Sequence, residues 1–411
     1  MANQVIRNRS YGQRQSGSFR GKAGGFFLFV FATVMLFWNE GNFVSTKRAL
    51  QEAESVVVRV NDVSNVDPSL NGKLIHASAF AGTKNVLTDE LFGIREMAIS
   101  ITRKVEYYQY VEYAHTETRE RAGGGEETIT TYTYQKVWTT SPVDSKEFAT
   151  SSYRSSNFLL ANIKARTLYA QEVTFGGYLL PLFLVETIGG SIPVDVSLTP
   201  GELAHLEEEV APKKTTPEGN SAQMVRNAEP ESTPTPMVHP NGNTVYFGKS
   251  ASSPNIGDVR VTLTKIMPTG ISIIAQVNGS TFEPYTAANG KVVSKLSMGT
   301  VSAGTMFADA HSTNSMGTWM LRLIGFLLVI ASLKFMLGSL SGLFNKIPFF
   351  GKIIGAGVKM VCTIIGCVWS LLVIAIAWLW YRPLVSLMLI TIAITGIWLL
   401  KALNKEKPTH Y

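Results

Sequence analysis

Residues 360–381 read MVCTIIGCVWSLLVIAIAWLWY, a run of 22 residues without a charged side chain. A helix of about 20 apolar residues is long enough to cross the hydrocarbon core of a bilayer. The run therefore predicts a membrane-spanning helix, and the rest of the chain can be read outward from it. Cys362 and Cys367, the two cysteines of the chain, both lie in this run. We expect no disulfide and interpret both thiols as small apolar side chains.

Three other apolar runs predict further spans, at residues 23–39, 319–340 and 384–400. The first has 17 uncharged residues between Lys22 and Glu40, and a cleaved signal peptide is the competing interpretation. A long basic head precedes this run, and the bulky pair Phe37-Trp38 ends it, where small residues should precede a cleavage site. Both features favour an uncleaved anchor.

The composition fits a few spans attached to a large soluble part. Only 16% of the 411 residues are charged, against about 25% in an average soluble protein. The mean hydropathy of +0.13 is nevertheless too low for a chain that lies wholly in lipid. These values exclude a disordered chain, a collagen-like fibre and a fully helical transporter.

Charge is divided unevenly along the chain. Residues 1–22 carry five basic residues and no acid, residues 40–315 carry 23 basic and 29 acidic residues, and residues 316–411 carry nine basic residues and one acid. The basic surplus lies next to the predicted spans, so we expect no nucleic-acid partner. By the positive-inside rule, the head 1–22, the loop 344–359 and the tail 401–411 lie in the cytoplasm. Residues 40–315 then form an extracytoplasmic domain.

The region 40–315 predicts a β-rich α+β domain. Residues 99–138 alternate apolar and polar side chains around three glycines at 123–125, which predicts one long antiparallel hairpin with its tip there. Six prolines among polar residues predict a mobile loop without regular structure at 211–243. Shorter strands are predicted at 56–60, 73–81, 257–266, 270–277 and 291–296, and helices at 157–167 and 201–210.

No set of residues predicts catalysis. Gly248-Lys249-Ser250 ends like a phosphate-binding loop, but Asn243 stands where that loop needs its first glycine. The six histidines are scattered, and neither an H-E-x-x-H motif nor a paired-cysteine metal motif occurs. We therefore predict a protein that is not an enzyme and that holds no metal or cofactor.

Aromatic residues are concentrated on the predicted hairpin, among them Tyr107, Tyr108 and Trp138. One interpretation is cross-strand packing on the two faces of the sheet. The other is a contact surface for a partner or for the membrane. These three side chains are candidate structural or interaction residues under either interpretation.

A second candidate site lies where Asn39, Glu40 and Gly41 follow the first span. Two cations share that boundary: Arg322 near the start of the second span, and Arg382 between the third and fourth. Charges are costly in lipid, and Arg suits bidentate pairing with a carboxylate. We predict that Glu40 bonds Arg322 or Arg382, that Asn39 adds an amide hydrogen bond, and that Gly41 lets the chain turn. The alternative is that the charged groups simply reach headgroups and water.

Several short motifs, kept in order along the chain, resemble those of the LUMA (transmembrane protein 43) family. Phe37-Trp38-Asn39-Glu40-Gly41 is similar to the family's F-x-N-E-G-R, with Asn42 in place of the arginine. The four-span layout is also that of the family. The other similar stretches are Gly72 to His76, Val105 to Glu112, Gly257 to Val261, Asn314 to Trp319 and Trp378 to Leu384.

The resemblance implies a non-catalytic membrane scaffold that self-associates and organises membrane or envelope protein complexes through its extracytoplasmic domain. Animal members of the family reside in the endoplasmic reticulum and inner nuclear membrane and help to organise proteins such as lamins and emerin. A transporter or channel component, and a membrane-bound sensor or receptor subunit, remain as alternatives.

The expected partners are membrane lipids, further copies of the chain and other membrane proteins. The sequence contains no nuclear or retention signal. We therefore expect a bacterial inner membrane with the domain in the periplasm. For a eukaryotic protein, the endoplasmic reticulum or the inner nuclear membrane would take its place.

Overall fold

The computed structural model describes residues 3–9, 11–120, 126–210, 238–338 and 351–382, together with residues 391 and 395. The helices in these ranges are α1 (Tyr11–Val56), α2 (Leu182–Val185), α3 (Pro200–Val210), α4 (Ala303–Gly338) and α5 (Gly351–Tyr381).

Three of these helices contain segments long and apolar enough to cross a membrane: residues 23–56 of α1, 303–336 of α4 and 360–381 of α5. They pack together through a small apolar cluster consisting of Ala32, Leu36, Val329, Val373 and Ile374. Large apolar side chains such as Leu327 and Leu371 cover their outer faces, as expected for helices surrounded by lipid. The predicted fourth span at 384–400 lies outside the described residues except for 391 and 395, and so does the tail 401–411.

The membrane helices are longer than the predicted spans. α1 continues to Val56 and α4 begins at Ala303, so both enter the region predicted as the soluble domain. α5 already begins at Gly351, within the loop predicted at 344–359. The membrane-spanning segment of α5, residues 360–381, coincides with the predicted span, and the helix also includes residues 351–359, which were predicted as loop.

A sheet of eight strands, sheet A, forms one half of the domain. Its strands are β1 (Asn3–Arg9), β6 (Ser100–Glu120), β7 (Glu126–Thr139), β8 (Arg166–Tyr169), β11 (Ile192–Pro193), β12 (Val238–Asn241), β13 (Thr244–Phe247) and β14 (Val259–Ile266). The strand order is β1-β7-β6-β14-β13-β12, with β8 beside β6 and β11 beside β14. Its core includes Val105, Phe247 and Val261, and Leu206 of α3 is part of the same cluster.

A sheet of seven strands, sheet B, forms the other half. Its strands are β2 (Val58–Val60), β3 (Leu74–Gly82), β9 (Thr174–Phe175), β10 (Tyr178–Leu179), β15 (Thr269–Asn278), β16 (Thr281–Glu283) and β19 (Lys295–Met298). Two further strand pairs are β4 (Val86–Asp89) with β5 (Ile94–Met97), and β17 (Tyr285–Thr286) with β18 (Val292–Val293). β15 lies at the centre of sheet B, between β3 and β16, and its Ile271 and Ile273 are buried.

The long hairpin is confirmed. β6 and β7 pair antiparallel from Tyr107 opposite Thr139 to Glu120 opposite Glu126, and the predicted tip at 123–125 lies outside the described residues. The predicted helix at 201–210 is confirmed as α3. The strands predicted near 73–81, 257–266 and 270–277 are confirmed as β3, β14 and β15.

The helix predicted at 157–167 is wrong. Asn157 is held by the backbone of Tyr110: the Tyr110 N–H donates to Asn157 Oδ1 at 2.8 Å, and Asn157 Nδ2 donates to the Tyr110 carbonyl at 2.9 Å. Beyond it, Ala161 and Ile163 are buried, whereas Asn162 and Lys164 are exposed. This burial period of two belongs to extended chain rather than to a helix.

The loop predicted at 211–243 is wrong at its end, because residues 238–241 form β12. β12 is an edge strand of sheet A, where Pro240 is tolerated because an edge strand leaves some N–H groups without a partner. Residues 211–237 lie outside the described residues.

β1 is a strand that the sequence did not predict. It pairs antiparallel with β7, from Asn3 opposite Tyr132 to Arg9 opposite Glu126. Residues 3–9 therefore lie beside the hairpin of the domain, although the sequence predicted a separate basic head at 1–22. The pairing supplies partners for the otherwise free backbone edge of β7.

Candidate functional site

Three consecutive residues of α1, Asn39, Glu40 and Gly41, lie where α1, α4 and α5 meet. We call them, together with Arg322 of α4 and Trp378 of α5, the boundary cluster. Successive residues of a helix point about 100° apart, so each of the three can reach a different neighbour. Asn39 and Glu40 are both buried.

Glu40 forms the predicted ion pair, and its partner is Arg322. Arg322 Nε donates to Glu40 Oε1 at 2.5 Å, and Arg322 Nη2 donates to Glu40 Oε2 at 2.8 Å. Trp378 Nε1 donates to the same Oε2 at 2.9 Å. Both carboxylate oxygens are thus occupied by donors, and the side chain is fully buried. A carboxylate held in this way joins three helices but is not available as a base.

The neighbours of Glu40 complete the contact. Asn39 Nδ2 donates to the carbonyl of Thr318 on α4 at 3.1 Å. Gly41 faces Tyr381 of α5 so closely that a Cβ atom there would lie 2.5 Å from the ring Cζ. The sequence expectation for Asn39 is therefore met. Gly41 instead permits close helix packing, since α1 runs on through it as helix.

Arg382 lies next to this cluster rather than in it. Its guanidinium carbon stands 4.9 Å from the centre of the Phe43 ring and 5.3 Å from that of Trp378. The guanidinium of Arg322 is stacked in the same way over Trp319, at 4.6 Å. Aromatic faces attract such cations. The sequence did not single out Trp378 or Tyr381 as members of the site, since nothing local reveals which ring will face Glu40.

The hairpin aromatics are divided between the two faces of β6. Tyr107 points into the core of sheet A, and its hydroxyl donates to the carbonyl of Ile163 at 2.6 Å. Burial raises the pKa of the Tyr107 phenol above its usual value. Tyr108 points to the other face, where it stands 5.2 Å, ring centre to ring centre, from Trp138 on β7.

Trp138 is the centre of a small polar and aromatic group. The guanidinium of Arg260 lies 4.4 Å above its ring, and Arg260 also donates from Nε and Nη2 to Glu106 Oε2, at 3.0 and 2.8 Å. Burial works against the charged form of Glu106, but the hydrogen bonds from Lys104 and Arg260 prevail and lower its pKa. Tyr246 stands edge-on to Trp138 and donates to the buried Asp258. These contacts favour the packing interpretation for Tyr107, which is buried, whereas Tyr108 and Trp138 are half-buried and keep part of their surface open.

The described residues contain no group of three or more His, Cys, Asp or Glu side chains placed to hold a metal ion. The hydrogen bonds and ring contacts of the boundary cluster and of the hairpin connect one secondary-structure element to another.

Comparison with known proteins agrees with the sequence motifs. A family model described as "Transmembrane protein 43" matches residues 107–383, about two thirds of the chain. The chain belongs to the transmembrane protein 43 family. The resemblance seen in the motifs is thereby confirmed.

Similarity to individual members of the transmembrane protein 43 family extends along nearly the whole chain. The chain is 26% identical to Transmembrane protein 43 of Rattus norvegicus and 25% identical to that of Homo sapiens, in each case over 396 residues that cover 94% of this chain and 90% of the relative. It is 23% identical to the Transmembrane protein 43 homolog of Drosophila melanogaster over 368 residues, which cover 88% of this chain and 89% of the relative. No solved structure matches.

Proposed function

We propose that this member of the transmembrane protein 43 family is a non-catalytic membrane scaffold, which self-associates and organises other membrane proteins through its β-rich domain. The observation that carries the proposal is the unbroken passage of α1 and α4 from their apolar segments into the domain. A domain mounted on two continuous helices keeps a fixed orientation to the membrane. A scaffold needs that property in order to present partners to one another.

Further contacts fix α1 and α4 to the domain at the point where the two helices enter it. Ala53 of α1 and Phe307 of α4 lie in one buried cluster with Leu74 and Ile274 of sheet B. Glu52 adds polar contacts, since its Oε1 accepts from the Tyr285 hydroxyl at 2.8 Å and from the Ala288 N–H at 3.0 Å.

The segment between β17 and β18 holds α1 nearer the membrane. Asn289 Nδ2 donates to the carbonyl of Ser45 at 2.7 Å, and Lys291 Nζ donates to Asn42 Oδ1 at 2.6 Å. A segment fixed at several points along α1 makes a hinge at this junction unfavourable.

The scaffold proposal is tested with the full chain in lipid nanodiscs. Native mass spectrometry and lysine cross-linking are expected to show more than one copy per particle and defined cross-links to co-purified membrane proteins. A strict monomer without cross-linked partners would overturn the proposal. The variant Thr46→Pro, which breaks the helical hydrogen bonding of α1, should reduce assembly, whereas the matched Thr46→Ala should not.

For the orientation, we propose that the domain lies outside the cytoplasm, with the bacterial periplasm as the favoured compartment. The lysine and arginine bias of the flanking segments supports this proposal. The pairing of β1 with β7 argues against a cytoplasmic location for residues 3–9 when the domain lies outside the cytoplasm. Paired polar strands cannot lie in lipid, so β1 should be on the same side of the membrane as the hairpin.

Single cysteines introduced into a chain without Cys362 and Cys367 decide between these arrangements. Gln4→Cys reports on the head and Ser252→Cys on the exposed surface of the domain. If an impermeant maleimide applied to intact cells labels only Ser252→Cys, the head and the domain lie on opposite sides. Labelling of both positions would mean that they share a side and that the predicted topology is wrong.

A further inference from the structure

The long strand β6 has a backbone edge that is covered along its first half only. From Ser100 to Tyr107, β6 pairs with β14 on one side. From Tyr107 to Glu120 it pairs with β7 on the other side, and the far edge of β7 is itself covered by β1. Among the described strands, none pairs with the β14-side edge of β6 beyond Tyr107. The second half of the hairpin therefore presents one free edge.

Backbone hydrogen bonds show which residues of β6 face this edge. On the β14 side, the Tyr108 N–H donates to the carbonyl of residue 258 at 2.9 Å, and the Tyr108 carbonyl accepts from the N–H of residue 257 at 3.0 Å. Two residues on, the side chain of Asn157 bonds both the N–H and the carbonyl of Tyr110. A strand repeats every two residues, and the β6–β7 register continues without a bulge. The next residues whose N–H and carbonyl groups face the free edge are therefore Glu112, Ala114, Thr116 and Thr118.

This edge lacks the features that usually prevent strands of different molecules from pairing. Free edges in natural proteins are commonly short, bulged, or marked by proline or lysine. Residues 112–120 contain neither proline nor lysine, and residues 113–119 are all exposed. A long, regular and exposed edge of this kind can accept a strand from another chain, whose backbone groups pair with its own.

The side chains along the edge favour a second copy of this chain as the occupant. When two β6 strands pair antiparallel about a centre at Thr116, His115 of each copy lies opposite Glu117 of the other. In the same register, Tyr113 lies opposite Arg119. The first pair joins an imidazole to a carboxylate, and the second joins an aromatic ring to a guanidinium. A centre one residue away in either direction would instead place Glu117 or His115 opposite its own copy, so the centre at Thr116 is preferred.

We propose that two copies of the chain pair antiparallel through residues 113–119 of β6, with Thr116 at the centre, and so join their two A sheets into one. The inference rests on the self-association proposed above and names the surface that carries it. The hydrogen-bonded pairs are Thr116 with Thr116, and Ala114 with Thr118. The two side-chain pairs described above then occupy the non-hydrogen-bonded positions, where cross-strand side chains lie closest.

Disulfide formation in membranes tests the register. In the full chain without Cys362 and Cys367, Thr116→Cys places two thiols across the centre, on Cα atoms about 5.5 Å apart, which a disulfide can bridge. Thr118→Cys lies on the same edge and the same face of the sheet and is the matched control, because its two copies are about 14 Å apart along the strands. Mild oxidation is expected to give a covalent dimer of Thr116→Cys only. Equal cross-linking of the two variants, or no dimer of Thr116→Cys, would overturn the proposal.

Variants that block the edge test its contribution to assembly. Thr116→Pro removes an N–H that faces away from β7, so the hydrogen bonds between β6 and β7 remain. Thr116→Val keeps the N–H and is the matched control. Native mass spectrometry in nanodiscs should show no dimer for Thr116→Pro and an unchanged dimer for Thr116→Val, with the same far-ultraviolet circular dichroism for both. Glu117→Lys, which places a lysine opposite His115, should weaken association roughly tenfold.

The outcomes separate this inference from the scaffold proposal. If the unchanged protein is a monomer, both are overturned. If the unchanged protein and Thr116→Pro assemble equally well, self-association stands and the β6 edge is excluded as its surface. If Thr116→Cys forms disulfides only with other proteins, the edge accepts a different strand and the assignment to a second copy is overturned.

Discussion

The boundary cluster and the aromatic hairpin show how differently a helix and a strand use consecutive residues. On α1, Asn39 contacts α4 and Gly41 contacts α5. Glu40, between them, contacts both α4 and α5. On β6, Tyr107 and Tyr108 alternate strictly, one into the core and one onto the opposite face. A short motif on a helix can therefore join several elements. The same length of strand serves only two faces.

The largest difference in stability between the two regions should come from the buried charge of Glu40. Glu40→Gln leaves Arg322 without a carboxylate in a buried site, and removing one partner of a buried pair costs about 3–5 kcal/mol. We expect a large drop in the thermal unfolding temperature in nanodiscs. The control is Glu117→Gln on the hairpin, where the pair with Arg119 is half exposed and is worth about 0–1 kcal/mol. Equal melting of the two variants would contradict a structural role for the pair.

The second-largest effect on stability should come from Gly41, where α1 and the Tyr381 ring of α5 approach closely. Gly41→Ala places a methyl group 2.5 Å from Tyr381 Cζ, and such overpacking costs about 1–3 kcal/mol. Gly24→Ala on the same helix meets no atom within 4 Å and should leave the melting temperature unchanged or raise it.

A double variant tests whether the clash is the cause. Adding Tyr381→Leu to Gly41→Ala removes the ring, so the two effects should be strongly non-additive. Simple additivity of the two melting shifts would show that Gly41 matters for another reason.

The buried phenol on the hairpin should have a smaller effect. Tyr107→Phe removes the donor to the Ile163 carbonyl, which costs about 1 kcal/mol. Tyr113→Phe alters an exposed tyrosine of the same strand and serves as the control. Chemical unfolding of both variants checks the prediction, and a loss in Tyr113→Phe as large as that in Tyr107→Phe would count against it.

The smallest effect is confined to alkaline pH. Burial, and then the bond to Asp258, raise the pKa of the Tyr246 phenol. The folded state therefore holds this proton more tightly than the unfolded chain, whose tyrosines titrate near pH 10. The resulting stability is complete below about pH 10 and is lost as the pH rises further. Between pH 8 and 11, the free energy of unfolding should fall less steeply with pH in Tyr246→Phe than in the unchanged protein. The same pH dependence in both proteins would exclude Tyr246 as the cause of the loss.

Much of this architecture could be predicted from local pattern alone. The uncharged run at 360–381 is apolar enough to cross a membrane wherever it is placed, and the alternation around the glycines at 123–125 permits little except a hairpin. The acidic residue at the end of an apolar span likewise led to the prediction of a cation nearby, and the bond to Arg322 confirms it. In each case the pattern lies within one short segment of the chain. Its periodicity, or the cost of burying its charge, can therefore be assessed without knowing the rest of the fold.

Only the tertiary structure decided which partners these elements take. Arg322 and Arg382 were equally plausible for Glu40, and the packing of α1 on α4 selected Arg322. The extended conformation of residues 157–163 depended on hydrogen bonds to the distant Tyr110 backbone. The strand conformation of Val238–Asn241 depended on pairing with β13. The pairing of β1 with β7 joins residues more than a hundred positions apart. The sequence by itself thus determined which segments are apolar, extended or helical, because propensity and periodicity are local. The choice among chemically equivalent partners depends on which distant surfaces are brought together by folding.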